Sequence, residues 1–376
     1  MDGQPQLHAM VYRWTRVIGA ALLGFWPNWG MAQVASASDV FARTAQAAPK
    51  QALGAAYAFG NDAPTVMVAG PRSRADGRKV PPDAPFHIGS ISKSFTATLL
   101  MQLEQEGQLS LSTPIGAYLN GPEYQLHPTW AALTLEQLLS HTAGLKANAS
   151  MREMIQRYAE TPAAGRARVL SALWQDPVPH RAGKMRYSNL GYVLAGVVAE
   201  EVTGQSWEDQ IQARFGRGLG LKSLGFGAPD TPDAPLGHVS IVGVKKPLAA
   251  DLREADNPVW MGPAGTIHLN LADLARWGQA HLQACKGEVP RFLTVQNCRR
   301  LWTPVSKNYG LGWIIEQPKG LGPKRWHNGS NNRWFAVLAV YPEQDLVVAT
   351  ASNHATAQRV TKLEEKMARA LVAGVR

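Results

Sequence analysis

The sequence has 376 residues, of which 45% are apolar and 18% are charged, and its formal net charge at pH 7 is +10. This composition indicates a globular chain with a substantial core and excludes a disordered or fibrous protein. The cations are scattered, in runs no longer than two residues. The charge therefore lacks the clustering typical of nucleic-acid binding, and no nucleic-acid partner is expected.

The N-terminus has the pattern of a signal peptide, and residues 1–37 are predicted to be a signal peptide and lead-in. Arg13 and Arg16 precede an apolar stretch, 17–26, that is too short to span a bilayer. Small residues at 30–32 or 35–37 offer alternative cleavage sites, and an ordinary N-terminal helix is the competing interpretation. We expect a periplasmic or secreted protein without stable membrane insertion.

The predicted elements begin with two strands, 52–59 and 65–69, which flank the turn Gly60-Asn61-Asp62 and read as a hairpin. Helices are predicted at 91–106, 135–140, 190–202 and 271–284. Asn270 is the expected N-cap of the helix that follows it. Strands are predicted at 309–315, 333–341 and 346–351, before a final helix at 356–372.

The order of these elements predicts an α+β fold, because strands lie at both ends of the chain and helices in the middle. We expect one antiparallel β-sheet flanked by helices, with an inserted helical lobe. The predicted domain is 38–376, with a sheet lobe at about 50–105 and 250–376 and a helical lobe at about 106–249.

A first candidate for chemistry is the pair Ser90 and Lys93, at the start of the helix predicted from residue 91. A three-residue step on a helix places both side chains on one face. Serine needs a neighbouring base to act as a nucleophile, and a desolvated lysine can be neutral near pH 7. The unpaired N–H groups at the helix start can stabilise an oxyanion. The alternatives are a plain N-cap serine and a solvated lysine.

A second candidate is Tyr187 with Asn189, just before the predicted helix 190–202. The same Tyr-x-Asn pattern occurs at Tyr118 and Asn120, but the later copy follows a turn-rich loop and abuts a strongly periodic helix. We expect the phenol to have a lowered pKa and to relay protons, and Asn189 to bind a substrate amide or to hold Lys93. A packed tyrosine and a capping asparagine are the alternative.

The third candidate is the run His327-Asn328-Gly329-Ser330, before the strand predicted from residue 333. His327 would supply a donor or a positive charge beside the tyrosine. Gly329 would let a substrate backbone lie close to a strand edge. Asn328 and Ser330 complete the predicted substrate-binding set, with the Ser330 N–H as second oxyanion donor.

These three motifs, in this order, resemble the serine β-lactamase and penicillin-binding protein superfamily. The resemblance is closest to its class C-like branch, which includes DD-carboxypeptidases, D-aminopeptidases and esterases. It extends over about residues 50–375 and includes the stretches 138–145, 262–265 and 309–313. It implies an acyl-enzyme on Ser90, with Lys93, Tyr187 and His327 as the other catalytic residues, and it leaves Lys93 or Tyr187 as the base.

One departure from the family pattern bears on the substrate. The β-lactamases of this branch usually have Lys-Thr-Gly as third motif, whereas this chain has His327-Asn328-Gly329. We therefore expect a hydrolase of D-alanyl peptides, β-lactams or small esters, with peptidase or esterase activity favoured over efficient cephalosporin hydrolysis. A non-catalytic penicillin-binding protein and an acyltransferase on the same fold are the alternatives.

The two cysteines, Cys285 and Cys298, are predicted to form one disulfide in an oxidising compartment, with two free thiols as the alternative. His141 is expected to be structural, holding the loop before the site. No spacing resembles a metal site, and no cofactor is expected. The expected partner is a small-molecule or peptidoglycan-derived substrate, and the expected state is a monomer.

Overall fold

A computed structural model describes residues 35–150 and 161–375, so the predicted signal-peptide stretch 17–26 lies outside the described residues. The helices of the described residues are α1 (Ala37–Gln46), α2 (Ser92–Gln105), α3 (Pro128–Ala131), α4 (Leu135–Leu139), α5 (Pro162–Ser171), α6 (Asn189–Thr203), α7 (Trp207–Ile211), α8 (Gly262–Gly265), α9 (Leu271–Lys286), α10 (Val295–Leu301) and α11 (Ala357–Val375). The strands are β1 (Leu53–Phe59), β2 (Thr65–Ala69), β3 (Phe86–His87), β4 (Gly225–Phe226), β5 (His238–Ile241), β6 (Val244–Pro247), β7 (Ile267–Leu269), β8 (Ile314–Glu316), β9 (Lys324–Ser330), β10 (Phe335–Tyr341) and β11 (Leu346–Ser352).

The main sheet joins the two ends of the chain. Its six strands run in the order β2-β1-β11-β10-β9-β8. Every neighbouring pair is antiparallel. The N-terminal hairpin meets the C-terminal strands where Leu53 pairs with Ser352 and Phe59 with Leu346. The predicted α+β fold with an antiparallel sheet is confirmed.

The central strands β10 and β11 are buried along their whole length because helices cover both faces of the sheet. Successive side chains alternate between the faces, as the period of two in a strand requires. Val337 packs in a cluster with Phe41 of α1 and Leu363 of α11. Leu338 belongs to the larger cluster on the other face, with Trp277 of α9.

Helix α2 lies inside the larger cluster, and all of its residues from Ser92 to Leu103 are buried. The sequence predicted one apolar face, but the polar positions are also buried because each finds a partner. Thr96 donates to the Pro263 carbonyl (2.7 Å), and the Thr98 hydroxyl lies 2.9 Å from His281 Nε2. These contacts join the second turn of α2 to α8 and α9.

Side chains cap the starts of two helices, one of them as predicted. The Asn270 side chain accepts from the Asp273 N–H (2.8 Å) at the start of α9, so the predicted N-cap is confirmed. Ser188 caps α6 by accepting from the Gly191 N–H (3.1 Å). Helix α6 ends at Gly204, whose φ of +68° suits glycine.

The C-terminal strands differ from the prediction in two places. Of the predicted strand 309–315, only Ile314 and Ile315 lie in a strand, β8, and Tyr309 lies in the preceding loop. The sequence also missed β9, whose pairing with β10 brings Trp326 opposite Ala339. The His327 motif consequently lies inside a strand rather than before one.

The structure pairs Cys285 at the end of α9 with Cys298 in α10 as a disulfide. Among the described residues, no helix has the length and apolar character needed to cross a membrane.

Candidate active site

Ser90 lies in a single 3-10 turn, Gly89–Ile91, directly before α2. The backbone of this turn packs directly against the backbone at the end of β9. A Cβ on Gly329 would overlap the Ile88 carbonyl oxygen, and a Cβ on Gly89, whose φ is +52°, would overlap the Ser330 nitrogen. Two glycines therefore let the first and third motifs meet.

Lys93 is fully buried, and its amine has three partners. Nζ lies 3.0 Å from Ser90 Oγ, 2.7 Å from Asn189 Oδ1 and 2.7 Å from the Ala264 carbonyl oxygen. All three partners are uncharged. Desolvation lowers the pKa of Lys93 well below its usual value of 10.5, which favours the neutral amine.

Tyr187 faces the same serine. The residue is 39% exposed, and its phenol is hydrogen-bonded to Ser90. Desolvation raises the pKa of Tyr187 to about 12, and the hydrogen bond to Ser90 only partly opposes this rise. The lowered pKa expected from the sequence is wrong, because burial outweighs the neighbouring lysine, whose own pKa is lowered.

Asn189 connects the second motif to the first. Its Oδ1 accepts from Lys93, and its Nδ2 donates to Asn148 Oδ1 (2.7 Å). These two contacts fix the orientation of the amide. In a flipped amide, the Nδ2 N–H group would face the Lys93 N–H group that Oδ1 now accepts. Of the two expected roles, the structure shows Asn189 holding Lys93.

His327 has a different tyrosine partner from the one expected. Its Nε2 lies 3.0 Å from the Tyr309 hydroxyl, and its Nδ1 lies 2.5 Å from the Asn328 carbonyl oxygen. Because a carbonyl only accepts, the proton is on Nδ1 and Nε2 accepts from Tyr309. Desolvation and then Lys93 lower the pKa of His327 to about 3, so the expected positive charge is absent at neutral pH.

The other residues of the third motif lie along β9. Asn328 and Ser330 are half-buried, whereas Gly329 is buried against the Ser90 turn. The Ser330 hydroxyl donates to the Trp334 carbonyl (2.8 Å) and accepts from the Asn332 N–H (2.9 Å). The side chain is thus part of the β9–β10 turn, and the backbone nitrogen of Ser330 lies against Gly89, next to Ser90.

The chain was compared with known proteins. Residues 41–371 match the Beta-lactamase family. The chain belongs to that family. It is 28% identical over 311 residues to "Penicillin-binding protein 4" of Amycolatopsis lactamdurans, an alignment that spans 76% of this chain and 77% of the relative.

Two solved structures share the fold of this chain. A class C β-lactamase from Rhodobacter sphaeroides superposes with a TM-score of 0.70 at 19% identity, covering 90% of this chain and 99% of that one. A D-stereospecific amidohydrolase from Streptomyces sp. gives a TM-score of 0.67 at 24% identity, covering 86% and 98%. The resemblance inferred from the three motifs is therefore confirmed, at the level of a family with hydrolase relatives.

Within this Beta-lactamase family site, sequence reasoning missed several contributors. The Ala264 carbonyl and the phenols of Tyr192 and Tyr309 surround the catalytic candidates, and Tyr192 donates to the Leu139 carbonyl (2.6 Å). Tyr192 sits on the periodic helix α6, where a tyrosine reads as core. Tyr309 lay in a predicted strand, and its place in the family-like stretch 309–313 is the signal that could have marked its phenol. Within 35–150 and 161–375, no group of three or more His, Cys, Asp or Glu could hold a metal ion.

Proposed function

We propose that this member of the Beta-lactamase family is a serine hydrolase that forms an acyl-enzyme on Ser90. Its proposed substrates are D-alanyl peptides, β-lactams or small esters, with peptidase or esterase activity favoured over efficient cephalosporin hydrolysis. The proposal rests on one observation, the set of three partners around the Lys93 amine.

These partners can satisfy either charge state of the amine, and desolvation, which lowers the pKa of Lys93, favours the neutral one. The Asn189 Oδ1 and Ala264 carbonyl oxygens can only accept, so they take the two N–H hydrogens of the amine. The nitrogen lone pair is then left for the hydroxyl proton of Ser90, 3.0 Å away. A lysine held in this way is a general base for the serine. We therefore assign the base to Lys93 rather than to Tyr187.

Tyr187 is the complementary acid, because its raised pKa keeps the phenol protonated. In acylation, Ser90 Oγ attacks the acyl carbon while Lys93 takes the hydroxyl proton. Tyr187 gives its proton to the leaving nitrogen or oxygen and recovers one from Lys93. Water then attacks the acyl carbon and gives a proton to the Lys93 amine. The bond between the acyl carbon and Ser90 Oγ breaks, the ammonium returns this proton to Oγ, and the acid leaves.

The Ser90 and Ser330 backbone N–H groups are the proposed oxyanion donors. The adjoining edge of β9 suits a substrate backbone, because β8 pairs with β9 only as far as Trp326. Asn328 and Gly329 follow on this edge and are the proposed substrate contacts.

The third motif supports a peptidase or esterase. The His327 imidazole is neutral and its Nε2 is occupied by Tyr309, so it provides no cation for an anionic group of the substrate. Cations instead flank the site on its loops: Lys146, Lys184, Arg186 and Lys307 are exposed, and the segments 140–150, 177–192 and 303–315 contain no acidic residue. Such a charge distribution favours a substrate with a free carboxylate, as in a peptidoglycan-derived peptide.

The test is intact-mass analysis after exposure to penicillin, a D-Ala-D-Ala peptide and an aryl ester. We expect at least one reagent to add its acyl group to the wild type and to leave the Ser90→Ala variant unmodified. Ser112→Ala, an exposed serine outside the site, is the matched control and is expected to react like the wild type. Acylation of Ser90→Ala at the wild-type rate would reject the assigned nucleophile.

We also propose that the protein is exported, acts as a monomer and binds no nucleic acid. The Cys285–Cys298 disulfide supports an oxidising compartment. N-terminal sequencing of protein recovered from the periplasm or medium tests export, and light scattering tests the oligomeric state. Retention of the full N-terminus in the cytoplasm, or a stable oligomer, would contradict these points.

A further inference from the structure

We propose that His141 is a positioning residue for Tyr187, acting as a hydrogen-bond acceptor that holds the peptide on both sides of the phenol. The proposal rests on the function proposed above and adds a residue to it. Three contacts carry it. The His141 carbonyl accepts from the Arg186 N–H (2.7 Å), its Nδ1 accepts from the Ser188 N–H (3.1 Å), and its ring centroid lies 4.3 Å from that of Tyr187.

His141 itself is held in a demanding conformation. It follows the C-cap residue of α4 and has a φ of +61°, a value that side chains with a Cβ seldom adopt. The side chain is nevertheless only 1% exposed. A glycine or asparagine would satisfy this backbone at lower conformational cost, so the backbone alone does not explain a histidine here.

The surroundings of the ring define its protonation state. Since Nδ1 accepts from Ser188, the proton of the neutral ring is on Nε2, which has no hydrogen-bond partner among the described residues. The ring also lies near those of Tyr192 (5.3 Å) and Tyr309 (4.7 Å). Desolvation, then Lys93 and His327, lower the pKa of His141 well below 6.5. A neutral ring keeps Nδ1 available as an acceptor.

The consequence for Tyr187 is geometric. Ser188 is also the N-cap of α6, and its hydroxyl donates to the Lys146 carbonyl (2.6 Å). Tyr187 thus lies between two residues, Arg186 and Ser188, whose backbone N–H groups both donate to His141. Loss of the Nδ1 acceptor releases the Ser188 peptide and lets the phenol move away from Ser90. Displacement by about an ångström is enough to lower a rate by about 100-fold.

The experiment distinguishes the hydrogen-bond acceptor of His141 from its aromatic ring. His141→Gly removes the whole side chain and tolerates the positive φ. His141→Asn restores an acceptor, because Oδ1 of asparagine occupies the position of Nδ1 on Cγ, and asparagine also tolerates this φ. His141→Phe restores only an aromatic ring. Each variant is assayed for its acylation rate, its KM and kcat, its thermal midpoint, and the hydrogen exchange of the Ser188 amide.

We expect His141→Gly and His141→Phe to acylate about 10- to 100-fold more slowly than the wild type, mainly through kcat, with faster exchange at Ser188. His141→Asn is expected to recover most of the rate and the protection. Equal losses in all three variants, following their thermal midpoints, would overturn the acceptor role, as would a wild-type rate in His141→Phe. If His141→Phe does not fold, the glycine and asparagine variants make the same comparison.

The exchange measurement keeps this inference separate from the proposed function. A wild-type protein that no reagent acylates would contradict the hydrolase proposal alone, because protection at Ser188 can still be measured. Unchanged protection in His141→Gly would overturn the role of His141 even if Ser90 is acylated normally.

Discussion

Two buried lysines of this protein have opposite surroundings. Lys93 is fully buried among the uncharged oxygens of Ser90, Asn189 and Ala264. Lys324, at the start of β9, is 5% exposed and lies 2.6 Å from the carboxylate of Glu364 on α11. The first amine lies beside the proposed nucleophile, and the second joins the sheet to a helix.

The comparison shows that the partner, not burial alone, determines what a buried lysine does. Without a carboxylate, desolvation lowers the pKa of Lys93 and favours the neutral amine, the form that the proposed mechanism needs. Beside Glu364, whose other oxygen accepts from the Tyr341 hydroxyl (2.5 Å), Lys324 has the counter-ion that a buried ammonium needs. Substitutions at the two sites should therefore affect different properties.

The largest expected effect is on chemistry, in Lys93→Met. Removing a positioned general base should lower the acylation rate of Ser90 by about 100- to 10,000-fold. The measurement is the rate of adduct formation by rapid mixing and intact mass. Lys324→Met is the matched control, since it removes a buried amine outside the site. A Lys93→Met variant that retains more than a tenth of the wild-type rate would contradict the assignment of the base.

The second effect is on stability, in Lys324→Met. This change leaves the Glu364 carboxylate buried without its cation and should lower the free energy of unfolding by about 3–5 kcal/mol. Urea denaturation measures the loss, and the acylation rate per folded molecule should stay within about twofold. The double variant Lys324→Met/Glu364→Met should recover most of the stability. A slower acylation rate at unchanged stability would contradict the structural role.

A smaller loss of acylation rate is expected when Lys93 is given a carboxylate partner like that of Lys324. Asn189→Asp places a carboxylate 2.7 Å from the amine and should raise the pKa of Lys93. The acylation rate at pH 7 should fall by about 10- to 100-fold and should recover as pH rises through the new pKa. Asn189→Ala, which adds no charge, should lose activity without this recovery. The same pH profile in both variants would contradict the comparison.

This contrast also shows what the sequence could and could not predict. The Ser90–Lys93 spacing and the position of Tyr187 before a periodic helix are local patterns, and they identified residues that the fold brings together. The strand β9 was missed because Lys324–Ser330 is polar and becomes a strand through its pairing with β10. The charge states of Lys93 and Lys324 cannot be predicted locally, because Asn189 and Glu364 lie 96 and 40 residues away from them in the chain.

The sequence also predicted the wrong direction for the pKa shift of Tyr187, because that shift depends on tertiary structure. The sequence suggested a phenol near ammonium groups, which would lower its pKa. In the fold, the nearby amine of Lys93 lies 5.0 Å from the Tyr187 ring centroid and is itself desolvated. A neutral amine gives the phenolate little stabilisation, so burial dominates and the pKa rises. The pKa of Tyr187 thus depends on the burial of Lys93, which the sequence does not show.

The smallest expected effect is a pH dependence of stability that belongs to Lys93. In the unfolded chain its ammonium titrates near pH 10.4, whereas in the folded protein the pKa is well below this value. Between the two values, unfolding takes up a proton, so the free energy of unfolding rises with pH by up to about 1.4 kcal/mol per pH unit. The same group loses this contribution as pH falls toward the folded pKa.

Lys93→Met removes this titration. Denaturation of the wild type and the variant at pH 7, 8 and 9 should therefore show a difference in unfolding free energy that grows in favour of the wild type. Changes common to both proteins cancel in that difference. A difference that stays constant over this range would mean that Lys93 binds its proton equally in both states. It would then remain an ammonium in the folded site and could not accept the proton of Ser90.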